Sequence, residues 1–211
     1  MTGAELVIGE RVTLRDGSEI LLRPISSTDK ALLKAGFERL SPESRYRRFF
    51  TQIRHLTDTQ LAYFTDIDHY DHEALLALAP TGEAVGVARW VRLADRPDAA
   101  EVAVTVADDW QGRGVATELL HRLVARARKL GIKHFTASCL SANHAVIEVL
   151  EQLGATHFRH PEAGVTELEI DLPKQVMAGG ALRRALRGAA AGELQPLPLD
   201  RAPTRPLSVE A

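Results

Sequence analysis

The chain has 211 residues, 45% hydrophobic and 26% charged, enough for one well-buried core but short for two enzyme-sized domains. Its 26 Lys and Arg against 28 Asp and Glu leave a net charge of -2, so no overall field draws it to nucleic acid or to a membrane surface, and any anion site must be local. Cys139 is the single cysteine, which excludes an internal disulfide framework, and no Cys/His spacing resembles a zinc site. No run approaches the roughly 20 apolar residues that span a bilayer, and Glu5, Glu10 and Arg11 interrupt the start where a signal stretch would lie. The expectation is a soluble, unexported protein of the reducing cytoplasm.

In chain order, residues 11–25 read as two short alternating strands around Asp16-Gly17, a pair suited to the positive φ of a tight hairpin. Leu32, Leu33, Ala35, Phe37 and Leu40 recur at helical spacing, Ser41-Pro42 starts a second short helix toward Phe49, and Thr57 or Asp58 caps a third. Residues 73–80 and 84–93 are apolar around a Thr81-Gly82 turn and predict a second hairpin. After the loop at 94–99, residues 101–106 predict a strand that runs directly into Gln111-Gly112-Arg113-Gly114-Val115-Ala116. Val115, Leu119, Leu123, Ala127 and Leu130 then form one apolar helical stripe with Glu118, Arg122, Arg126 and Lys129 off it, ended by Gly131. Residues 133–138 predict a strand, 143–153 a helix closed by Gly154, and 165–172 a final strand. Beyond Pro173 the composition turns to Ala, Gly, Pro and Arg, and residues 174–211 are expected to form a flexible tail.

The strand, Gly-rich turn and helix form the informative unit. The first turn of a helix leaves free N–H groups at the positive end of its dipole, Gly112 and Gly114 let the backbone approach an oxygen-rich ligand, and Arg113 adds a cation. A pyrophosphate suits such a cradle; an ordinary glycine turn before a helix fits the spacing equally well. The ending of a P-loop and the three-glycine dinucleotide fingerprint are both absent.

Gln111, Gly114 and Ala116 fill a signature in which Gln or Arg is followed after two residues by Gly and, one residue later, by Gly or Ala, and on these residues the chain resembles the GNAT superfamily of acyl-CoA-dependent N-acyltransferases. The resemblance implies an α/β (α+β) fold: a central mixed, mostly antiparallel, twisted sheet of six to seven strands flanked by helices, with a βαβ acyl-CoA-binding core. It implies acetyl-CoA as cosubstrate without a metal. Main-chain N–H groups of the turn, from Gln111, Gly112, Arg113, Gly114, Val115, Ala116 and Thr117, would hold the CoA pyrophosphate. Val104, Thr105 and Val106 would pair with the pantetheine arm, and Asn143 would lie beside the CoA. Leu22-Arg23-Pro24-Ile25, Leu40-Ser41-Pro42-Glu43-Ser44, Tyr46-Arg47-Arg48-Phe49-Phe50 and Asp68-His69-Tyr70-Asp71-His72 look more narrowly like the acetyltransferase domain of bacterial protein lysine acetyltransferases. The domain then spans residues 20–173, after an extension and first strand in 1–19. The residues before Ile20 are too few for the regulatory domain of some relatives, so a freestanding catalytic domain is expected.

An amine must lose a proton before it attacks a thioester, which calls for a base near the acetyl group. Glu101 opens the strand leading into the loop, at the position where the lysine-acetylating relatives carry their proposed catalytic glutamate; desolvation between two layers would make it a stronger base. A solvated strand-edge glutamate is the competing reading. The tyrosine that many relatives use as general acid is replaced by Leu150, which leaves water or Ser141 to reprotonate the thiolate. Cys139 reads as core packing, His69, Asp71 and His72 as part of the acceptor cleft or surface without metal-ligand spacing, and Arg45, Arg47 and Arg48 as a solvated helix face or an anion patch. The acceptor is expected to be a protein lysine or a small amine, with a noncatalytic acyl-CoA sensor as the reading from another class. Neither nucleic acid nor membrane is expected as partner, and the oligomeric state is left open.

Overall fold

The fold is that of a computed structural model, which describes residues 9–162 and 164–173. The predicted tail, 174–211, lies outside the described residues, as do residues 1–8. The first hairpin joins β1 (Glu10–Thr13) to β2 (Glu19–Pro24), with Glu10 opposite Leu22 and Gly17 at φ 85° in the turn. Three helices follow: α1 (Lys30–Glu38), α2 (Pro42–Phe49) and α3 (Asp58–Thr65). Their starts obey local chemistry. The Ser41 hydroxyl accepts the Ser44 N–H at 3.1 Å with Pro42 in the first turn, and Thr57 and Gln60 form a reciprocal capping box. At the entry to α1, Asp29 takes both Arg23 guanidinium nitrogens at 2.6 Å, tying the helix to the end of β2.

β3 (His72–Leu78) and β4 (Ala84–Arg92) form the second hairpin, β5 (Ala99–Val106) pairs beside β4, and α4 (Val115–Lys129) follows the glycine loop. β6 (His134–Leu140), α5 (His144–Glu151), β7 (Ala155–Glu162) and β8 (Val165–Asp171) complete the described chain. The sheet has eight strands in the order β1-β2-β3-β4-β5-β6-β8-β7, antiparallel throughout except for the parallel β5–β6 pair. One strand exceeds the expectation. Residues 155–162 show no clean alternation and carry a proline, both tolerated because β7 lies at the sheet edge, where an N–H need not enter a ladder.

The alternation of β3 and β4 divides the core. Leu75, Ala77, Ala88 and Trp90 pack with Val115, Leu119, Leu120, Leu123 and Val124 of α4, while Ala74 joins Ile25, Leu33, Phe37, Leu56 and Leu61 under the first three helices. Gly86 lets α4 come close, since a Cβ there would stand 2.9 Å from Val115 Cγ1. Two charges of the α4 layer depart from the expectation of solvated flanks. Glu118 is buried and pairs with Arg122 at 2.8 Å, and Arg126 reaches across to the fully buried Glu73, whose other oxygen meets His69 Nδ1 at 2.8 Å. Among the described residues no helix is long and apolar enough to cross a membrane.

Candidate active site

β5 leaves the sheet through a short turn at Asp108–Trp110 and enters α4 over the glycine loop. Gly112 and Gly114 have φ of 75° and 98°, left-handed values that a side chain would strain, and Gly114 is the N-cap of α4. The N–H groups of residues 112–117 donate no hydrogen bond within the described residues; the first helical bond runs from Glu118 N–H to the Gly114 carbonyl at 3.1 Å. A row of free donors at the positive end of a helix of 15 residues is an anion cradle. Gln111 acts as a brace, its Nε2 donating to the Val106 carbonyl at 3.2 Å and to the Ser44 hydroxyl at 3.3 Å. The Arg113 side chain turns away. Its guanidinium lies 4.9 Å over the Trp110 ring and 3.6 Å from the Asp16 carboxylate, and Arg15 of the first hairpin lines the cleft instead.

The sheet opens beside this cradle. β4 and β5 stay paired from Arg92 opposite Ala100 to Gly86 opposite Val106. β5 and β6 pair only at Ala99 with His134, Ala100 with Phe135 and Glu101 with Thr136. Past Glu101 the two strands part, leaving the edge of residues 102–106 unpaired toward a cleft of about 440 Å³ that is walled on the far side by Ala137, Ser138 and Cys139 and by α5. A chain bearing amides can add to such an edge as a further strand. Val104, Thr105, Val106, Gly112, Gly114, Val115, Ala116, Thr117 and Asn143 all line this cleft. Asn143 is the N-cap of α5 yet makes no side-chain cap bond, so its amide is available to the cleft.

Glu101 sits at the apex where the strands diverge, and it is exposed in the cleft rather than desolvated between layers. Its charge acts on Arg48, whose pKa burial pushes down while Glu101 opposes that shift. Arg48 therefore belongs to the cleft and is half-buried there, not on the solvated face that a run of arginines suggested. Arg45 does hold structure, donating to the Arg54 and Glu38 carbonyls at 2.8 and 2.9 Å.

A clamp that sequence reading missed positions α2 against the loop. Asp108 accepts the Ser44 hydroxyl at 2.6 Å, the Ser41 hydroxyl at 3.0 Å and the Ser41 N–H at 2.8 Å. Burial alone would raise the Asp108 pKa, and these hydrogen bonds outweigh it to hold the carboxyl below its usual range. The signal was present in the two serines of the Ser-Pro helix start and the acid just ahead of the loop, but nothing in their spacing links residues 64 apart.

Leu150, which the resemblance sets where many relatives carry a tyrosine, is buried in the cleft wall. Ser141 shares a 2.7 Å hydrogen bond with the Thr166 hydroxyl and is not part of the lining. Cys139 is buried, its thiol pushed up by that burial and its Sγ 3.8 Å from the Thr166 carbonyl, as expected of core packing. The histidine cluster disperses: His69 binds Glu73, Asp71 binds Arg92 at 2.7 Å and His72 faces Arg89 at 3.1 Å. No group of three or more potential metal ligands occurs among the described residues.

The family model described as Acetyltransferase (GNAT) domain matches residues 19–156. The chain is 34% identical over 163 residues to Acetyltransferase Pat of Mycolicibacterium smegmatis, an alignment covering 77% of this chain and 48% of that protein. It thus spans about half the length of that curated relative. The GNAT domain of S. lividans PAT matches with a TM-score of 0.73 at 36% identity, over 82% of this chain and all of that one (100%). A GNAT superfamily phosphinothricin acetyltransferase from Sinorhizobium meliloti, solved with acetyl-CoA, shares the fold at a TM-score of 0.61 and 16% identity, over 80% of this chain and 95% of its own.

Proposed function

Because the chain belongs to the GNAT acetyltransferase family, we propose that it moves the acetyl group of acetyl-CoA to the side-chain amine of a protein lysine, by direct attack in a ternary complex with Glu101 as base. One observation carries the reading. The strand edge at 102–106 opens where β6 leaves it, the free N–H groups of 112–117 stand at one end of the opening, and Glu101 stands at the other. Acetyl-CoA supplies the activated acetyl thioester. The amides of the loop and first turn hold its pyrophosphate, and the unpaired edge of Val104, Thr105 and Val106 takes the amides of its arm, fixing the thioester near the apex. Glu101, beside Arg48, accepts the proton that the ammonium must lose, directly or through one water. Leu150 offers no proton, so water in the open cleft returns one to the leaving thiolate. The narrower resemblance of segments such as Tyr46-Arg47-Arg48-Phe49-Phe50 to bacterial protein lysine acetyltransferases favours a protein lysine as acceptor, and the likeness to a relative named Acetyltransferase Pat supports the acetyl transfer itself.

Purified protein with acetyl-CoA and a panel of lysine peptides, lysine-bearing proteins and small amines, followed by CoA thiol release and product mass, tests this. In Glu101→Gln, kcat should fall by about 10² or more with acetyl-CoA affinity unchanged. A kcat within a few fold of the parent would remove Glu101 as base, and turnover confined to small amines would replace the lysine acceptor.

A further inference from the structure

On the face of the sheet that carries Glu101, a second and smaller cavity of about 60 Å³ lies under α1, α2 and α3. Its walls are mostly apolar, with Leu33, Phe37, Leu56 and Phe64 among them, yet two guanidinium groups, Arg48 and Arg89, also form them. Arg48 and Thr105 line both this cavity and the cleft, so the two spaces adjoin. Arg89 stands on β4 opposite Ala103, two residues along the same face of β5 from Glu101.

Arg89 is 6% exposed and has no carboxylate partner among the described residues. Its Nη1 points to the Phe64 carbonyl at 3.4 Å and to His72 Nε2 at 3.1 Å, and the group lies 4.5 Å over the Phe64 ring, while Nε and Nη2 make no hydrogen bond among the described residues. Arg48 makes no hydrogen bond there at all; it lies 5.0 Å over the Phe49 ring, and Glu101 acts on it through charge alone. The two cations also repel each other: burial first, then the charge of Arg48, brings the Arg89 pKa down to about 9. Buried charges are normally paired, because an unpaired one keeps its desolvation cost without a return. Two neighbouring guanidiniums with free donors, neither hydrogen-bonded to a carboxylate among the described residues and Arg89 without even a nearby one, describe a site for an anion.

We infer that Arg48 and Arg89 form a carboxylate-binding subsite for the acceptor, so that substrates carrying a carboxylate close to the reacting amine are preferred. The fork of a guanidinium matches two carboxylate oxygens, and apolar walls strengthen the pairing. The carboxylate comes either from an acidic side chain flanking the target lysine or from the α-carboxylate of a free amino acid. This deepens the acetyltransferase reading and rests on it for its kinetic arm.

Lysine peptides with Glu at each of the two positions on either side of the lysine would be compared with Gln counterparts, and free lysine with lysinamide, for the parent enzyme, Arg89→Met and Arg89→Lys. A preference in kcat/KM of about tenfold or more for the carboxylate-bearing member of one pair is expected. Arg89→Met should reduce it to within twofold by slowing only that member, with acetyl-CoA affinity unchanged, and Arg89→Lys should keep part of it. Which pair shows the preference names the source of the carboxylate, and equal rates in every pair overturn the subsite. A second arm needs no turnover: glutarate at millimolar concentration should raise the Tm of the parent but not of Arg89→Met, whose own Tm should equal or exceed that of the parent without glutarate. A glutarate effect without acetylation of any amine would keep the subsite and sink the catalytic reading. If glutarate has no effect and Arg89→Met unfolds earlier, Arg89 is a structural cation and the proposal fails.

Discussion

The His72 ring rests against the Tyr63 ring at 5.3 Å between centroids and against the Arg89 guanidinium. Burial, and after it the charge of Arg89, holds its pKa down to about 4 against the ordinary 6.5, outweighing the nearby carboxylates of Asp68 and Glu73. At neutral pH the imidazole is therefore uncharged and can accept from Arg89. The unfolded chain binds this proton at higher pH than the native state does. Between the two values the unfolded state carries more protons, so stability rises with pH and is lost as pH falls from 6.5 toward 4. Asp29 and Asp108, whose pKa values are depressed, lose their contributions only lower, as pH falls below 3.8. Urea unfolding at pH 7.5 and pH 5 should show a drop in stability for the parent that His72→Asn, which keeps a polar group without the titration, largely removes. An equal drop in both proteins would assign the sensitivity elsewhere. The ring is half-buried, so solvent screening keeps the effect below the full linkage value.

At the scale of elements, Gly154 separates what sequence reading explains from what it misses. A glycine after a helical run is naturally read as a helix stop, and α5 does end just before it. The stronger constraint is spatial: a Cβ at Gly154 would lie 1.9 Å from the Asp171 carbonyl oxygen and 2.9 Å from its carbon, so the chain entering β7 presses on the end of β8. Both neighbours are backbone and cannot swing aside. Gly154→Ala should therefore cost about 1–3 kcal/mol, the range of overpacked cores, measured as a lowered denaturant midpoint at unchanged m. A midpoint equal to the parent's would mean that the β7–β8 hairpin is free to shift. The same contrast holds across the chain. The α4 stripe, the capped start of α2 and the β3–β4 hairpin were legible because their determinants lie within a few residues of one another. β7 was not, since an edge strand needs neither alternation nor freedom from proline. Glu118, buried with Arg122, and Arg113, drawn to Asp16, depended on partners or packing that local periodicity does not encode. In the candidate site, the loop was legible from its own motif, and the strand edge and Glu101 were singled out chiefly by the family resemblance, whereas Arg48 and the Ser44–Asp108 clamp emerge only when α2 is folded onto β5.

Across the whole molecule, the three register pairs between β5 and β6 are the only ladder joining the β1–β5 part of the sheet to the β6–β8 part within the described residues. α4 strengthens the join from one face, with Val124 and Ala127 in the same buried cluster as Phe135 and Ile170. The cleft lies in this seam, bounded by Glu101 and residues 102–106 on one side and by Ala137, Ser138, Asn143 and Val149 on the other. A ligand seated there touches both parts and adds contacts where the ladder stops. Any ligand that binds only the native state stabilises it by mass action, about 2.7 kcal/mol at a hundredfold excess over Kd, but the location of the seam makes a sharper statement. Local opening of β6, α5, β7 and β8 away from β5 should be the opening that acetyl-CoA suppresses most. Hydrogen exchange followed by mass spectrometry should show protection on adding acetyl-CoA not only at 102–106 and 112–117, which the ligand would touch, but also in β8, which does not line the cleft. Protection restricted to the contacting segments would mean that the two parts open together with the rest of the fold, and that the ligand fills the seam without fastening it.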